Sequence, residues 1–167
     1  MNPLVRKSWQ TLKKWTAENT PVLWVVAFVL AADRISKVLA QVFLTENPIV
    51  VFPFFHLRYV ENTGAAFGSF QGANGLLIVV MLVIIGYIIH SWKDLCAQGN
   101  LVKWGSVLIL AGAFGNLYDR ITLGYVVDFL DFLVWPVFNV ADSAITIGGA
   151  LFVISLIFHK KPKREEK

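Results

Sequence analysis

Apolar positions along the chain gather into four long runs, over residues 22–44, 74–90, 101–119 and 141–158, with polar segments between them. A helix of roughly 20 apolar residues crosses the ~30 Å hydrocarbon layer of a bilayer, so the pattern predicts four membrane-spanning helices. Ahead of the first run, Trp9, Leu12 and Trp15 fall near one helical stripe while Lys7, Lys13 and Lys14 lie elsewhere. Residues 1–20 are therefore expected to lie at the membrane surface as an amphipathic lead-in. Pro21 is expected to open the first span, because a first-turn residue needs no amide proton for an intrahelical bond. That run outlasts a signal-peptide h-region and holds Asp33, Arg34 and Lys37, so it reads as a retained signal anchor.

The segments between the runs differ in texture. Residues 45–72 are too polar to cross; Val50 to Val60 is β-branched and aromatic with Pro53 inside, which predicts short edge strands packed at the interface. Small residues and breakers from Asn62 to Gly68 predict a turn leading into a short interfacial helix. The second run is nearly pure Leu, Ile and Val, as hydrophobic filling. Gly105, Ser106, Ala111, Gly112, Ala113 and Gly115 in the third permit close backbone approach. Gly124 to Val140 carries Asp128, Asp131, Trp135 and Pro136 and returns the chain to the last run. With no internal repeat and no soluble second domain, residues 1–167 form one membrane-embedded domain with a polar outer subregion at about 45–72.

Composition agrees. A chain that is 56% hydrophobic, with 15 basic and 11 acidic residues, is too apolar for a soluble surface. The formal charge of +4 raises the question of a nucleic-acid partner. Eleven of the 15 Lys and Arg residues, however, lie in the tails and one short connection: Arg6, Lys7, Lys13, Lys14, Lys93, Lys103, Lys160, Lys161, Lys163, Arg164 and Lys167. That distribution reads as topology. It places both termini and Lys93 in the cytoplasm and residues 45–72 and 120–140 outside. The lone Cys96 excludes an intrachain disulfide, and no CxxC pair, HExxH helix, Walker A loop or dinucleotide fingerprint is present. Ser69, Ser91, Ser106 and Ser143 lack the setting of a nucleophile elbow. No metal and no other cofactor is expected.

Ionisable residues within a span cost roughly 2.5 to 3.5 kcal/mol each, so they demand partners, a wet cleft or an edge. Antiparallel connectivity brings Asp33, Arg34, Lys37, Asp119, Arg120, Asp128, Asp131 and Asp142 to comparable outer depth, with the amides of Asn62, Asn116 and Asn139. Asp33 suits an ion pair with a cation on another span, or a direct chemical role. Asn116 and Arg120, four apart, share a helical face and serve either to bond across the bundle or to orient a substrate carbonyl. Asp119 points about 100° away from Arg120, which favours a supporting or capping role. Asn139 and Asp142 have the spacing of a capping box, and capping alone would account for both.

Asp128 is set apart by its apolar Val-Val-Asp-Phe context, 14 residues before Asp142 with Pro136 between to turn the chain back. Two carboxylates in one poorly solvated site cannot both ionise easily, so such a pair holds a proton near neutral pH. This is the logic of aspartic proteases. An ion or proton pathway and structural pairing fit the spacing as well.

At this polar cluster the chain resembles the lipoprotein signal peptidases, the type II signal peptidases of bacteria, over essentially its whole length. The resemblance rests on Asp33-Arg-Ile-Ser-Lys37, Glu61-Asn-Thr-Gly-Ala-Ala-Phe67, Gly112-Ala-Phe-Gly-Asn-Leu-Tyr-Asp-Arg120, Gly124-Tyr-Val-Val-Asp-Phe129 and Phe138-Asn-Val-Ala-Asp-Ser143, in that order. Arg34 stands where family members often have Gln. The resemblance implies an all-α membrane protein with four transmembrane helices, a small extracytoplasmic β-sheet and a short interfacial helix. It makes Asp128 and Asp142 the catalytic dyad, with Asn62, Asn116, Arg120, Asn139, Asp33 and Asp119 shaping or supporting the site. It implies cleavage of diacylglyceryl-modified prolipoproteins immediately before the lipidated cysteine, in the bacterial inner membrane, near the outer leaflet, with membrane lipids as surroundings. We expect a monomer, and expect Gly64 to Gln71, including Phe67 and Gly68, to control access. The noncatalytic alternatives are a small transporter or ion-coupling subunit and a structural scaffold.

Overall fold

The computed structural model describes residues 2–64 and 72–158. Helix α1 (Pro3–Phe43) is followed by strands β1 (Ile49–Phe52) and β2 (Phe55–Asn62). Then come helices α2 (Asn74–His90), α3 (Trp92–Ala97) and α4 (Asn100–Thr122), strand β3 (Val126–Asp131) and helix α5 (Val140–Phe158). Phe67 and Gly68, and with them the expected interfacial helix, lie outside the described residues.

Two features differ from the sequence expectation. Pro21 does not begin a helix: it lies inside α1, so the lead-in and the first apolar run form one continuous helix of 41 residues. A proline removes one backbone bond from the ladder, yet the helix runs on through this position. The second difference is β3, where the sequence pattern predicts only a returning connection. Four of its first five residues are buried, so it shows no alternation of apolar and polar positions and its period is silent.

α4 is the axis of the molecule, with α1, α2 and α5 each packed against it. Glycines set the α4–α5 distance: a Cβ on Gly105 would sit 2.8 Å from the carbonyl oxygen of Gly148, and one on Gly148 2.6 Å from that of Gly105. The backbones thus meet where side chains are absent. Among the described residues α2 and α5 do not pack side by side but each lean on α4, which floors the cleft between them.

The three strands form one antiparallel sheet in the order β1-β2-β3. Val60 is opposite Asp128 and Asn62 opposite Val126, so Asn62 and Asp128 are diagonal neighbours on one face. Gly124, at φ +85°, makes the turn from α4 into β3, a conformation open to glycine without strain.

Polarity is distributed inside out. Trp24, Phe28, Val83, Leu156 and Phe158 are more than 60% exposed, while Asp33, Lys37, Asp119 and Asp128 are at most 2% exposed. Lipid, not water, is the solvent such a surface suits. By length and composition α4 and α5 are each sufficient to cross a membrane, and α2 is a shorter apolar helix. The molecule is an all-α membrane protein with a small, unclosed sheet.

Candidate active site

The cleft between α2 and α5 encloses about 790 Å³. Leu77 and Met81 of α2 face Ile145 and Ile147 of α5 across it, and Phe132 and Trp135 to Phe138 of the loop after β3 cover one end. Asn62, Asn116, Arg120 and Asp142 form its polar end.

Asp142 is held by the start of α5. Asn139 is the N-cap: its Oδ1 accepts the Asp142 amide at 2.8 Å, and its own amide donates to Asp142 Oδ2 at 3.3 Å. This is the reciprocal capping box, with the shorter Asp in place of Glu. Asn116 Nδ2 donates to Asp142 Oδ1 at 2.7 Å.

Asp128 approaches from the sheet, accepting Asn62 Nδ2 at 2.8 Å and Asn139 Nδ2 at 2.7 Å. Asn139 therefore touches both carboxylates while capping the helix. Burial, reinforced by the facing charge of Asp142, raises the Asp128 pKa to about 7, against the opposing hydrogen bonds from Asn62 and Asn139. At neutral pH such a carboxyl divides its time between acid and base.

Behind the pair lies a buried ionic cluster. Lys37 Nζ reaches Asp33 Oδ2 and Asp119 Oδ2 at 2.9 Å each and Asn116 Oδ1 at 3.0 Å. Asp33 Oδ1 accepts the amide of Ala141 in the first turn of α5, at 2.9 Å. Asp119 Oδ1 pairs with Arg34 at 3.0 Å, and its Oδ2 also accepts the Val127 amide at 3.3 Å, next to Asp128. Two cations and two carboxylates sum to zero, which makes the cluster tolerable at this depth.

Arg120 closes the other side, donating to Asn74 Oδ1 at 3.2 Å and to the Gly64 carbonyl at 2.5 Å. Its Nε is buried and has no partner among the described residues. Gly64, where the expected access segment begins, is also tied to Asn62, whose Oδ1 accepts its amide at 3.0 Å.

The structure thus brings Asp128, Asp142, Asn62, Asn116 and Asn139 into direct contact, with Arg120 beside them. Asp33 and Asp119 stand behind, through Lys37. The cation of Asp33 is Lys37 on its own helix, not one on another span, and what Asp33 holds on a second helix is a backbone amide. Asp131 lies apart, paired with Arg58. Sequence reasoning assigns no role to Lys37 or Asn74. For Lys37 a signal is present: a cation four residues after an aspartate inside an apolar run shares its helical face. Among the described residues no group of three or more His, Cys, Asp or Glu side chains is arranged to hold a metal ion.

Comparison with known proteins identifies the family. Residues 25–158 match the model of the family described as signal peptidase (SPase) II. The lipoprotein signal peptidase of Halothermothrix orenii is 42% identical over 134 residues, covering 79% of this chain and 92% of that protein. That of Thermodesulfovibrio yellowstonii is 46% identical over 135 residues, covering 77% and 88%. That of Alteromonas mediterranea is 38% identical over 165 residues, covering 93% and 90%. A solved structure described as a bacterial membrane enzyme, at 2.3 Å resolution, superposes with a TM-score of 0.77 at 29% identity, covering 89% of this chain and 94% of that one. On the match over most of its length, and with these relatives, the chain belongs to the signal peptidase II family.

Proposed function

We propose that Asp128 and Asp142 are the catalytic pair with which this chain carries out the activity of its family, removal of prolipoprotein signal peptides by a membrane aspartic endopeptidase. The observation that carries the assignment is their convergence on one buried residue, Asn139, which gives its side-chain N–H to Asp128 and its backbone N–H to Asp142, where Asp142 lines the polar end of an apolar cleft.

Asp142 sits in the first turn of α5, where exposed amides and the helix dipole favour negative charge, and Asp128 holds the proton. Asp142 removes a proton from water, the resulting hydroxide attacks the scissile carbonyl carbon, and Asp128 gives its proton to the carbonyl oxygen. On collapse Asp142 passes its proton to the leaving nitrogen, the C–N bond breaks, and Asp128 recovers a proton from the tetrahedral carbon's hydroxyl. Atoms and charges balance without ATP or metal.

A carbonyl engaged in a helix is shielded from attack, so the peptide must extend at the cleavage position. Arg120 Nε, buried beside the cleft and without a partner among the described residues, is suited to take a backbone carbonyl of the extended stretch. The substrate is a diacylglyceryl-modified prolipoprotein, cut before its lipidated cysteine, with the signal segment between α2 and α5 and the acyl chains in lipid. The enzyme acts as a monomer, and the segment starting at Gly64 governs access.

α1 supplies a further span with α2, α4 and α5, its internal charges neutralised by the cluster around Lys37. Both termini are then cytoplasmic and the pair lies near the outer leaflet, consistent with the basic residues at the opposite end. The test is cleavage of a diacylglyceryl-modified precursor by purified D128N and D142N, with the wild type also assayed in excess chelator. Near-normal turnover by either variant would overturn the dyad, and metal-reversible loss in chelator would overturn the mechanism.

A further inference from the structure

We infer that Lys37 is a positioning residue for the hydrolysis: its ammonium orients the Asn116 carboxamide with the N–H end toward Asp142 and so makes Asp142 the partner that holds the negative charge. The inference rests on the dyad reading above.

Lys37 is fully buried and has three protons, and three acceptors surround it: Asp33 Oδ2, Asp119 Oδ2 and Asn116 Oδ1. Asn116 Oδ1 is also reached by Asn139 Nδ2, at 3.2 Å. Two donors on this oxygen leave Nδ2 facing Asp142 Oδ1. The reversed amide would set N–H against the ammonium and oxygen against the carboxylate, both repulsive. The cation thus fixes the orientation of a neutral side chain, which presents a donor to the base.

The two carboxylates differ in what stands behind their donors. Each accepts two N–H groups. The amide on Asp142 is backed by an ammonium, whereas Asn62, on Asp128, is backed by the neutral Gly64 amide. The other charged groups around the pair are Asp33 and Arg34 of α1 and Asp119 and Arg120 of α4. Asp33 and Asp119 contact Lys37 directly, and Arg34 pairs with Asp119. Lys37 alone among these cations touches a residue that hydrogen-bonds to Asp142.

The test uses full-length purified enzyme and a diacylglyceryl-modified precursor. K37M leaves two carboxylates short of a cation, so the charge-balanced double variant K37M/D119N is measured beside it, with D119N as its control. Relative to that control, kcat is expected to fall at least about tenfold with KM changed less than about threefold. The acid limb of the kcat–pH profile should move up by about one unit, since the base then needs a higher pH to be ionised. In an N116A background the same substitution should move that limb by less than half as much.

An unmoved limb in the double variant overturns the inference, because a purely structural lysine would change the folded fraction and not the profile of the folded enzyme. So does a full-size shift in the N116A background, which would place the action of Lys37 elsewhere than through Asn116. D142N assayed in parallel separates the two levels. Turnover by D142N sinks the dyad itself, whereas an inactive D142N with an unmoved limb in K37M/D119N sinks only the role of Lys37.

Discussion

Asn139 and Asp142 close the first turn of α5 on each other, and the same Asn139 side chain donates to Asp128 at 2.7 Å. Helix capping and the proposed catalytic site therefore share one residue. The two roles can be separated, because the cap needs only an oxygen at the Cβ branch, while the bond to Asp128 needs the amide N–H.

N139A is expected to lose both, destabilising the protein by about 1 to 3 kcal/mol and lowering kcat at least about tenfold. N139S should recover most of the stability but not the rate. Thermal melting in detergent and cleavage of a lipidated precursor measure the two quantities. Equal recovery of both by Ser would show that capping is all Asn139 does.

Asp128 should leave a signature in stability as well as rate. Its pKa is raised to about 7, so between the unfolded carboxylate's value near 4 and 7 the folded state holds a proton that the unfolded chain releases. Stability from this group is complete below about pH 4 and lost as pH rises through 7. Asn cannot titrate. The Tm of D128N minus that of the wild type should therefore grow from pH 4 to pH 8, whatever constant offset the lost hydrogen bonds impose. A flat difference would show that Asp128 ionises in the folded protein as it does in the unfolded chain.

Asp131 carries the opposite sign. Burial raises its pKa, but the Leu133 amide, the guanidinium of Arg58 and nearby His56 outweigh that and hold it below the ordinary value. The carboxylate anchors the covering loop, accepting the Leu133 amide at 2.8 Å where Leu133 takes φ +65°. Its contribution is present above the unfolded carboxylate's range and lost as pH falls through the depressed folded value. D131N is expected to raise KM more than it lowers kcat, because the loop lines the cleft. Limited proteolysis between Phe132 and Pro136 should rise in the variant at neutral pH and in the wild type only in acid. Equal protection of both at neutral pH would refute the anchoring.

How far the sequence can be read depends on whether a residue's role is carried by period or by depth. The runs around α2, α4 and α5 are legible because lipid selects for apolarity along a whole helix. That Asp128, Asp142 and the asparagines gather at one place is legible because polar groups at that depth are too costly to be idle. β3 is hidden because it is buried on both faces, although Val126-Val-Asp-Phe between Gly124 and Pro136 is a β-branched and aromatic run between breakers. The sequence divides α1 at Pro21 because a proline is the usual mark of a helix start, and only the three-dimensional course shows the ladder continuing past it. Lys37 is legible as a buried charge but not as part of the site. Its three acceptors come from its own helix and from α4, and no spacing along the chain reveals such a convergence.

Gly115 offers a test of the cluster that leaves every charge in place. A Cβ there would lie 2.7 Å from Asp33 Oδ2 and 3.2 Å from the Ala141 side chain. Real Cβ atoms do not approach so closely, so Asp33 must move, and that oxygen is the one paired with Lys37. Displacing it strains the anchor of α5 at Ala141 and the orientation of Asn116 behind Asp142. G115A is expected to cost about 1 to 3 kcal/mol as an overpacked site and to lower kcat more than it raises KM. Gly86 of α2 is the control, because a Cβ there meets nothing within 4 Å. In a helix interior Ala is favoured over Gly by about 0.5 to 1 kcal/mol, so G86A should melt no lower than the wild type and cleave at the same rate. If G115A matched G86A in both melting and kcat, the position of Asp33 would not govern the catalytic pair, and the ionic cluster would be a packing device alone.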